Sequence, residues 1–172
     1  MEERLIKPEV YDELYREEQF TKYNCIEELG LLDRELIIDV GCGTGLLYEY
    51  MVFKGIAPKR YVCIEPDEGM INIASRRVQG AGGILVQGYG EELPIRPGVG
   101  GVLLSISTWG AMRESREVLL ALKEVAGSTG VAVITGHPRT YRVRPDELDS
   151  SYSYLGTCVD DIYIYKPPRS DG

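Results

Sequence analysis

The sequence is poor in the residues that usually form metal centres. Its 172 residues include a single histidine, His137, and four cysteines without a CxxC pair. Because zinc sites are built from clustered Cys and His ligands, the sequence predicts no metal site. We expect Cys25, Cys42, Cys63 and Cys158 to be reduced thiols, with Cys42 and Cys63 as small hydrophobes in buried strand-like runs.

Long apolar runs and an excess of positive charge are also missing. No stretch approaches the ~20 apolar residues that span a bilayer, and the charged segment 1–20 lacks the apolar region of a signal peptide. We therefore expect a cytoplasmic protein without a membrane partner. Asp and Glu number 27 against 19 Lys and Arg, for a net charge of -8. This charge repels polyanions, so we expect no nucleic-acid partner despite the local run of Arg139, Arg142 and Arg144.

Apolar runs alternate with helical patterns along the chain. The predicted strands are 36–40, 61–65, 82–88, 100–107 and 131–136, followed by a hairpin of 152–158 and 161–166 that turns near Asp160. The predicted helices are 8–29, 46–55, 66–80 and 113–127. Such alternation requires right-handed crossovers and a mostly parallel sheet with helices on both faces. The sequence therefore predicts an α/β fold, a doubly wound three-layer αβα sandwich around a mostly parallel seven-stranded sheet with an antiparallel C-terminal hairpin.

Three glycines stand at alternate positions in "IIDVGCGTGLLYEY", between a predicted strand and a predicted helix. A strand, a glycine turn and a helix N-terminus together form a nucleotide-binding element. The dinucleotide pattern G-x-G-x-x-G requires glycine at position 46, where this chain has Leu46. The pattern therefore argues against a bound pyrophosphate.

Two carboxylates near these glycines indicate a different ligand. Asp39 stands just before the turn and would repel a pyrophosphate, but it suits a ligand with cationic groups. Glu65 ends the second strand, 20 residues after Gly45, and a carboxylate there can accept hydrogen bonds from both hydroxyls of a ribose. The ligand should carry a ribose diol and positive charge but no phosphate. S-adenosylmethionine has all three features.

The segments "IIDVGCGTG", "YVCIEPDEGMINIA" and "VQGYGEELPI" occur in this order, and with them residues 8–136 resemble the class I S-adenosylmethionine-dependent methyltransferases. The resemblance implies a Rossmann-like fold with strand order 3-2-1-4-5-7-6, S-adenosylmethionine as cofactor, and methyl transfer as the reaction. We divide the single domain 1–172 into an N-terminal helical cap (1–35), a cofactor-binding βα core (36–136), and a C-terminal loop and strand pair (137–172).

The resemblance also implies roles for individual residues. Asp39 with the backbone of Gly41 and Gly43 would face the methionyl end of the cofactor, and Glu65 would bind its ribose. Tyr89 replaces the aspartate that usually meets the adenine amino group, so it would stack on the base instead. The full cofactor-binding set implied is Asp39, Gly41, Cys42, Gly43, Gly45, Glu65, Pro66, Met70, Tyr89, Gly90, Glu91 and Ser105.

The sequence offers only weak candidates for catalytic residues. Ser107 and Trp109 follow the fourth strand, His137 follows the fifth, and Tyr11 lies in the segment that caps the cofactor in similar proteins. Each also has an ordinary structural role as a core or loop residue. No residue has the features of a compelling general base.

Three functions compete. The first is an S-adenosylmethionine-dependent methyltransferase that acts on an unidentified small molecule, with a tRNA or protein acceptor less favoured. The second is a non-catalytic cofactor-binding subunit that needs a partner chain; a homodimer is a further option. The third is a nicotinamide-dependent oxidoreductase, against which Leu46 argues.

Overall fold

A computed structural model describes residues 6–79, 82–109, 115–140, 143 and 148–168. Helices and strands alternate within these residues, close to the predicted bounds. The helices are α1 (Pro8–Glu27), α2 (Leu46–Phe53), α3 (Glu68–Val78) and α4 (Ser115–Ala126), with a 3-10 turn at Gly90–Glu92. The strands are β1 (Leu36–Val40), β2 (Arg60–Glu65), β3 (Ile84–Gln87), β4 (Val102–Ser105), β5 (Val131–Gly136), β6 (Tyr152–Cys158) and β7 (Asp160–Tyr165).

The seven strands form one sheet in the order β3-β2-β1-β4-β5-β7-β6. The first five strands pair in parallel, whereas β7 runs antiparallel to both β5 and β6. This confirms the predicted α/β class, the predicted strand order and the antiparallel C-terminal hairpin. Because the strands β1 to β5 are parallel, their carboxyl ends lie along one edge of the sheet, where ligands bind in such folds.

Side chains of the sheet enter two separate cores. In β1, Ile37 packs in a core with residues of α1, α2 and α3, and the next residue, Ile38, packs in a core with residues of α4. Successive strand residues point to opposite faces, so a strand covered on both sides must be apolar throughout. All five residues of β1 are accordingly buried, and the sheet is the middle layer of three.

The expectation of reduced cysteines is wrong in this structure. Cys25 in α1 is joined to Cys158 at the end of β6, and Cys42 is joined to Cys63 in β2. Cys42 and Cys63 are buried as predicted. The partners are 133 and 21 residues apart in sequence, and only the folded sheet brings them together. Sequence spacing alone therefore does not reveal either pair.

Candidate functional site

The glycine-rich turn between β1 and α2 has an unusual backbone. Gly41, Gly43 and Gly45 all adopt positive φ angles, of 76°, 57° and 81°. The amides of Gly41 and Cys42 both donate to the carbonyl oxygen of Ile64, at 2.8 and 3.2 Å. Residues with a Cβ rarely adopt this left-handed conformation, so all three glycines are required by the turn itself.

The three glycines differ in what lies beside them. A Cβ on Gly41 would lie 2.3 Å from Cγ2 of Thr108, and one on Gly45 would lie 3.3 Å from Cγ2 of Val78. Both positions are therefore closed by other parts of the chain. A Cβ on Gly43 would have no neighbour within 4 Å, so at Gly43 the bare backbone faces open space that a ligand can enter.

Glu65 lies beside that open space. It ends β2 and is only 2% exposed. Its Oε2 accepts a hydrogen bond from the Gly43 amide at 3.0 Å, and its Oε1 accepts one from the Asp67 amide at 3.0 Å. Asp67 in turn caps α3 by accepting a hydrogen bond from the amide of Met70 at 2.9 Å. The carboxylate is therefore fixed in place next to the glycine turn.

Asp39 is a second buried carboxyl at the same edge. It is 3% exposed, and the hydroxyl of Tyr61 donates to its Oδ2 at 2.5 Å. Burial raises the pKa of Asp39 to about 7; the Tyr61 hydrogen bond lowers the pKa, and the nearby charge of Glu65 raises it. Asp39 therefore changes charge near neutral pH.

Helix α1 is fastened onto the glycine turn. Asp12 accepts a hydrogen bond from the hydroxyl of Thr44 at 2.5 Å and forms an ion pair with Arg77. Arg77 also donates to the carbonyl oxygen of Thr44 at 2.7 Å. These contacts join α1, the turn and α3, so α1 covers this part of the site. Sequence reasoning missed them because they join residues 32 to 65 positions apart, for which no motif exists.

The residues predicted to meet adenine lie on neighbouring segments. Pro66 and Met70 follow β2, with the Met70 side chain buried. Tyr89, Gly90 and Glu91 follow β3, and parallel pairing of β2 and β3 brings the two segments to the same edge. Tyr89 is 65% exposed, so a base stacked on its ring would cover solvent-facing surface.

The catalytic candidates fall in different environments. Trp109 is 5% exposed in the core beneath α4, which favours the core role over a substrate platform. Nδ1 of His137 accepts hydrogen bonds from the amides of Arg139 and Thr140, at 3.2 and 3.3 Å, so His137 stabilises its own loop. Tyr11 is half-buried in α1 and packs on Tyr15 with ring centroids 5.0 Å apart.

The segment after β4 connects to the glycine turn and to a buried polar cluster. Ser105 is buried, and its Oγ lies 2.5 Å from Oγ1 of Thr108, the residue that closes the space at Gly41. Ser107 is half-buried with a positive φ of 56°. Its hydroxyl donates to Oδ2 of Asp160 at 2.7 Å and accepts from Lys22 Nζ at 3.0 Å.

We name the residues Lys22, Ser107, Thr135 and Asp160 the Asp160 cluster. Lys22 Nζ lies 3.1 Å from Asp160 Oδ1, and the Thr135 hydroxyl donates to Asp160 Oδ2 at 2.7 Å. Lys22 is 4% and Asp160 1% exposed. The hairpin turn predicted near Asp160 is confirmed, since it lies at Val159, and Asp160 begins β7 as a buried residue. The sequence showed none of the three partners of this carboxylate, because the four residues come from α1, the β4 turn, β5 and β7.

Two predictions concern the arginine run at 139–144 and membrane-spanning segments. Arg139 is exposed, whereas Arg142 and Arg144 lie outside the described residues. Among the described residues, no helix combines the length and the apolar character needed to cross a membrane.

The fold and the glycine turn can now be compared with known proteins. The sequence model of a family described as "Methyltransferase domain" matches residues 38–134, more than half of the chain. The chain belongs to this methyltransferase family. It is an enzyme of the class that uses S-adenosylmethionine as cofactor, as the resemblance had predicted.

Individual relatives of this methyltransferase are distant in sequence. It is 26% identical over 125 residues to YdaC of Bacillus subtilis, an uncharacterized methyltransferase, with 73% of this chain and 68% of YdaC covered. A structure from Methanococcus maripaludis, assigned to the S-adenosyl-L-methionine-dependent methyltransferases, superposes with a TM-score of 0.77 at 16% identity, covering 93% of this chain and 90% of that one. An Aquifex aeolicus SAM-dependent methyltransferase gives 0.69 at 20% identity, with 92% and 95% covered. These structures support the fold.

Proposed function

We propose that this methyltransferase binds S-adenosylmethionine across the glycine turn and methylates a small molecule. The observation that carries the proposal is the open face at Gly43 beside the buried carboxylate of Glu65. The residues present fit the cofactor, because bare backbone and a fixed carboxylate are what a ribose diol needs for close approach and hydrogen bonding.

Each carboxyl group takes one part of the cofactor in this proposal. Glu65 accepts hydrogen bonds from the ribose hydroxyls, since a carboxylate has about four lone-pair positions on its two oxygens. Asp39, at the carboxyl end of β1, supplies negative charge for the ammonium of the methionyl end. Met70 and Pro66 line the adenine side, and the Gly90 amide donates a hydrogen bond to the adenine ring.

The remaining residues hold the reactants and exclude water. The bound cofactor supplies an electrophilic methyl group on a sulfonium, and the chemistry of transfer is largely its own. The chain must therefore orient the acceptor and keep the site dry. Helix α1, fastened through Asp12 to Thr44 and Arg77, provides a cover for the glycine turn.

A small-molecule acceptor suits this arrangement better than a polyanion. The net charge of -8 opposes the approach of RNA or DNA. A cytoplasmic location and a homodimer or partner subunit remain parts of the proposal. Disulfides are rare in reducing cytosol outside hyperthermophiles, so the location is best tested together with the redox state of the four cysteines.

Calorimetry with S-adenosylmethionine and its demethylated product tests the cofactor site. We expect Glu65→Ala to weaken binding by at least about tenfold, since it removes a buried, charge-assisted contact. Glu65→Gln, which keeps the shape but loses the charge, should have an intermediate effect. Glu92→Ala is the control, because Glu92 is an exposed carboxylate of the neighbouring turn. Equal effects of Glu65→Ala and Glu92→Ala on a folded protein would reject the ribose assignment.

A further inference from the structure

Backbone strain in this molecule is concentrated at the Asp160 cluster. Among the described residues, only two other than glycine have positive φ angles, Ser107 at 56° and Val159 at 62°. Ser107 belongs to the cluster, and Val159 directly precedes Asp160. A side chain in this conformation is energetically unfavourable, and for the β-branched Val159 it is a rare outlier. Such strain commonly accompanies functional sites, and both strained residues here position the same carboxylate and hydroxyl.

The hydrogen bonds of the cluster use all but one acceptor position of the Ser107 hydroxyl. Asp160 Oδ2 accepts from Ser107 and Thr135, and Lys22 Nζ is shared among Asp160, Ser107 and Glu18, the last at 2.7 Å. Ser107 Oγ uses its proton for Asp160 and one lone pair for Lys22. A hydroxyl oxygen has two lone pairs, so Ser107 can still accept one hydrogen bond from a ligand.

Ser107 is also placed where such a ligand would meet the cofactor. It precedes Thr108, whose side chain fills the space beside Gly41. Ser107 and Thr108 are half-buried, whereas Ser105, Ile106 and Trp109 around them are buried. Strand β4 is the neighbour of β1 in the sheet, so the half-buried residue Ser107 lies at the carboxyl edge next to the glycine turn.

We propose that Ser107 binds a hydroxyl group of the methyl acceptor and passes its proton to Asp160, so that this enzyme methylates oxygen on a neutral hydroxyl compound. The inference rests on the proposed cofactor site. Ser107 is then a catalytic residue that touches the acceptor, and Asp160 acts through it. Thr135 and Lys22 hold Asp160 in position.

Every bond, electron pair and proton is accounted for in the proposed methyl transfer. The acceptor oxygen forms a bond to the methyl carbon while the carbon–sulfur bond breaks, and its electron pair stays on sulfur as a neutral thioether. The acceptor's O–H proton moves to Ser107 Oγ as the proton of Ser107 moves to the Asp160 carboxylate. No oxidant or further reactant is required. The proton later returns to solvent by the reverse path through Ser107.

The nature of the base selects the acceptor class. A carboxylate is too weak a base to deprotonate an aliphatic ammonium group, and an acceptor that is already an anion needs no base. A hydroxyl oxygen becomes strongly acidic as it gains the methyl group, so even a carboxylate held beside Lys22 can take its proton. Alcohols and phenols are therefore favoured over amines and carboxylates.

The test compares three variants of the full chain. Asp160→Asn keeps the size of the side chain but cannot take the proton. Ser107→Gly removes the hydroxyl and suits the positive φ, so it should fold even if Ser107→Ala does not. Asp161→Asn is the matched control, because Asp161 is an adjacent buried carboxylate that faces the opposite side of the strand, where Thr157 donates to it at 2.5 Å.

Three measurements are made on each protein. Calorimetry gives the affinity for S-adenosylmethionine. Transfer of a tritiated methyl group to the small-molecule fraction of a cell extract is measured from pH 5 to 9, and the labelled product is tested for resistance to mild ester hydrolysis. The ¹³C signal of the Asp160 carboxyl is followed in the protein without cofactor.

We expect Asp160→Asn and Ser107→Gly to lower transfer at least about 100-fold while the affinity for S-adenosylmethionine changes less than threefold. The loss of wild-type rate in acid should disappear in Asp160→Asn, and Ser107→Gly should shift the Asp160 carboxyl signal. The Lys22 and Glu18 charges that face the cluster are unchanged in both variants, so they do not account for a changed pH profile.

Several results would overturn the inference. Variants that transfer at the wild-type rate, an unchanged pH profile in Asp160→Asn, or an equal loss in Asp161→Asn would each contradict it. A labelled amine product, or a wild-type protein that binds S-adenosylmethionine but labels nothing, would do the same and leave the cofactor site standing. Failure of the wild-type protein to bind S-adenosylmethionine would instead refute the proposed function.

Discussion

The two sides of the sheet's carboxyl edge use buried polar groups in opposite ways. On the β1 and β2 side, the carboxylate of Glu65 receives backbone amides and the glycine turn is open at Gly43. On the β4, β5 and β7 side, the Asp160 carboxylate receives side chains from three other elements and is closed from solvent. The β1 and β2 side presents backbone groups beside an open space. The β4, β5 and β7 side presents a network of side-chain hydrogen bonds and ion pairs.

Under the proposed function, this contrast follows from what each side must bind. A cofactor whose chemical groups are always the same can be bound by main-chain groups, because main-chain amides stay in place when side chains are substituted. A methyl acceptor differs from enzyme to enzyme, so the groups that handle it must come from side chains. The two sides should therefore respond differently to mutation, and the following predictions test that difference.

The largest expected effect is on the Asp160 side. Lys22→Met leaves the buried Asp160 carboxylate without a counter-ion and should lower the free energy of unfolding by about 3–5 kcal/mol. Lys54→Met is the matched control, since Lys54 forms a partly exposed ion pair with Glu27 at 3.2 Å, and its loss should lower the free energy of unfolding much less. Urea denaturation measures both. Similar losses in the two variants would mean that the Asp160 cluster contributes no more than a surface pair.

The next effect separates stability from binding within the glycine turn. Gly41→Ala should lower the free energy of unfolding by about 2–4 kcal/mol, because its Cβ meets Thr108 at a positive φ. Gly43→Ala should cost only about 1–2 kcal/mol, because its Cβ enters open space. Calorimetry should show the opposite ranking for affinity. Relative to the stability that each variant loses, Gly43→Ala should weaken binding of S-adenosylmethionine more than Gly41→Ala does. If Gly43→Ala binds S-adenosylmethionine as the wild type does, the open face is not the cofactor's place.

The smallest expected effect is a pH dependence on the glycine side. The pKa of Asp39 is raised by burial from 3.8 to about 7, so the cofactor-free fold favours the protonated carboxyl, and this stabilisation is lost as pH rises from the lower value through the higher one. A cationic ligand prefers the ionised form. Affinity for S-adenosylmethionine should therefore rise about tenfold from pH 6 to pH 8 in the wild type and stay flat in Asp39→Asn. An affinity that falls over the same pH range would show that Asp39 does not bind the ammonium group.

Much of the fold and half of the site could be predicted from the sequence. Apolar runs separated by helical patterns were enough for the strands. The glycine motif with Asp39 and Glu65 was enough to bring these residues together at one edge, and their binding of the cofactor stays a prediction. These signals are local, because each involves residues close together in the chain. The predicted reasons for the glycines were incomplete, since Gly41 and Gly45 are closed by Thr108 and by α3.

The rest could not be predicted because it depends on contacts between distant segments. No sequence pattern singled out Lys22, and Asp160 was placed near a hairpin turn. Only the antiparallel entry of β7 beside β5 brings Asp160 beneath Lys22 and Ser107. The two disulfides have the same origin, and a sequence without a CxxC motif contains no local sign of them.

The bond between Cys25 and Cys158 turns most of the chain into a covalent ring. Every strand from β1 to β6, with the glycine turn and helices α2 to α4, lies inside it. A single peptide cleavage in any loop of that ring leaves both pieces tethered, so the nicked molecule migrates as one species until a reductant is added. Pulling on the two termini would likewise load α1, which leads to Cys25, and β7, which follows Cys158, and would leave strands β1 to β5 without tension.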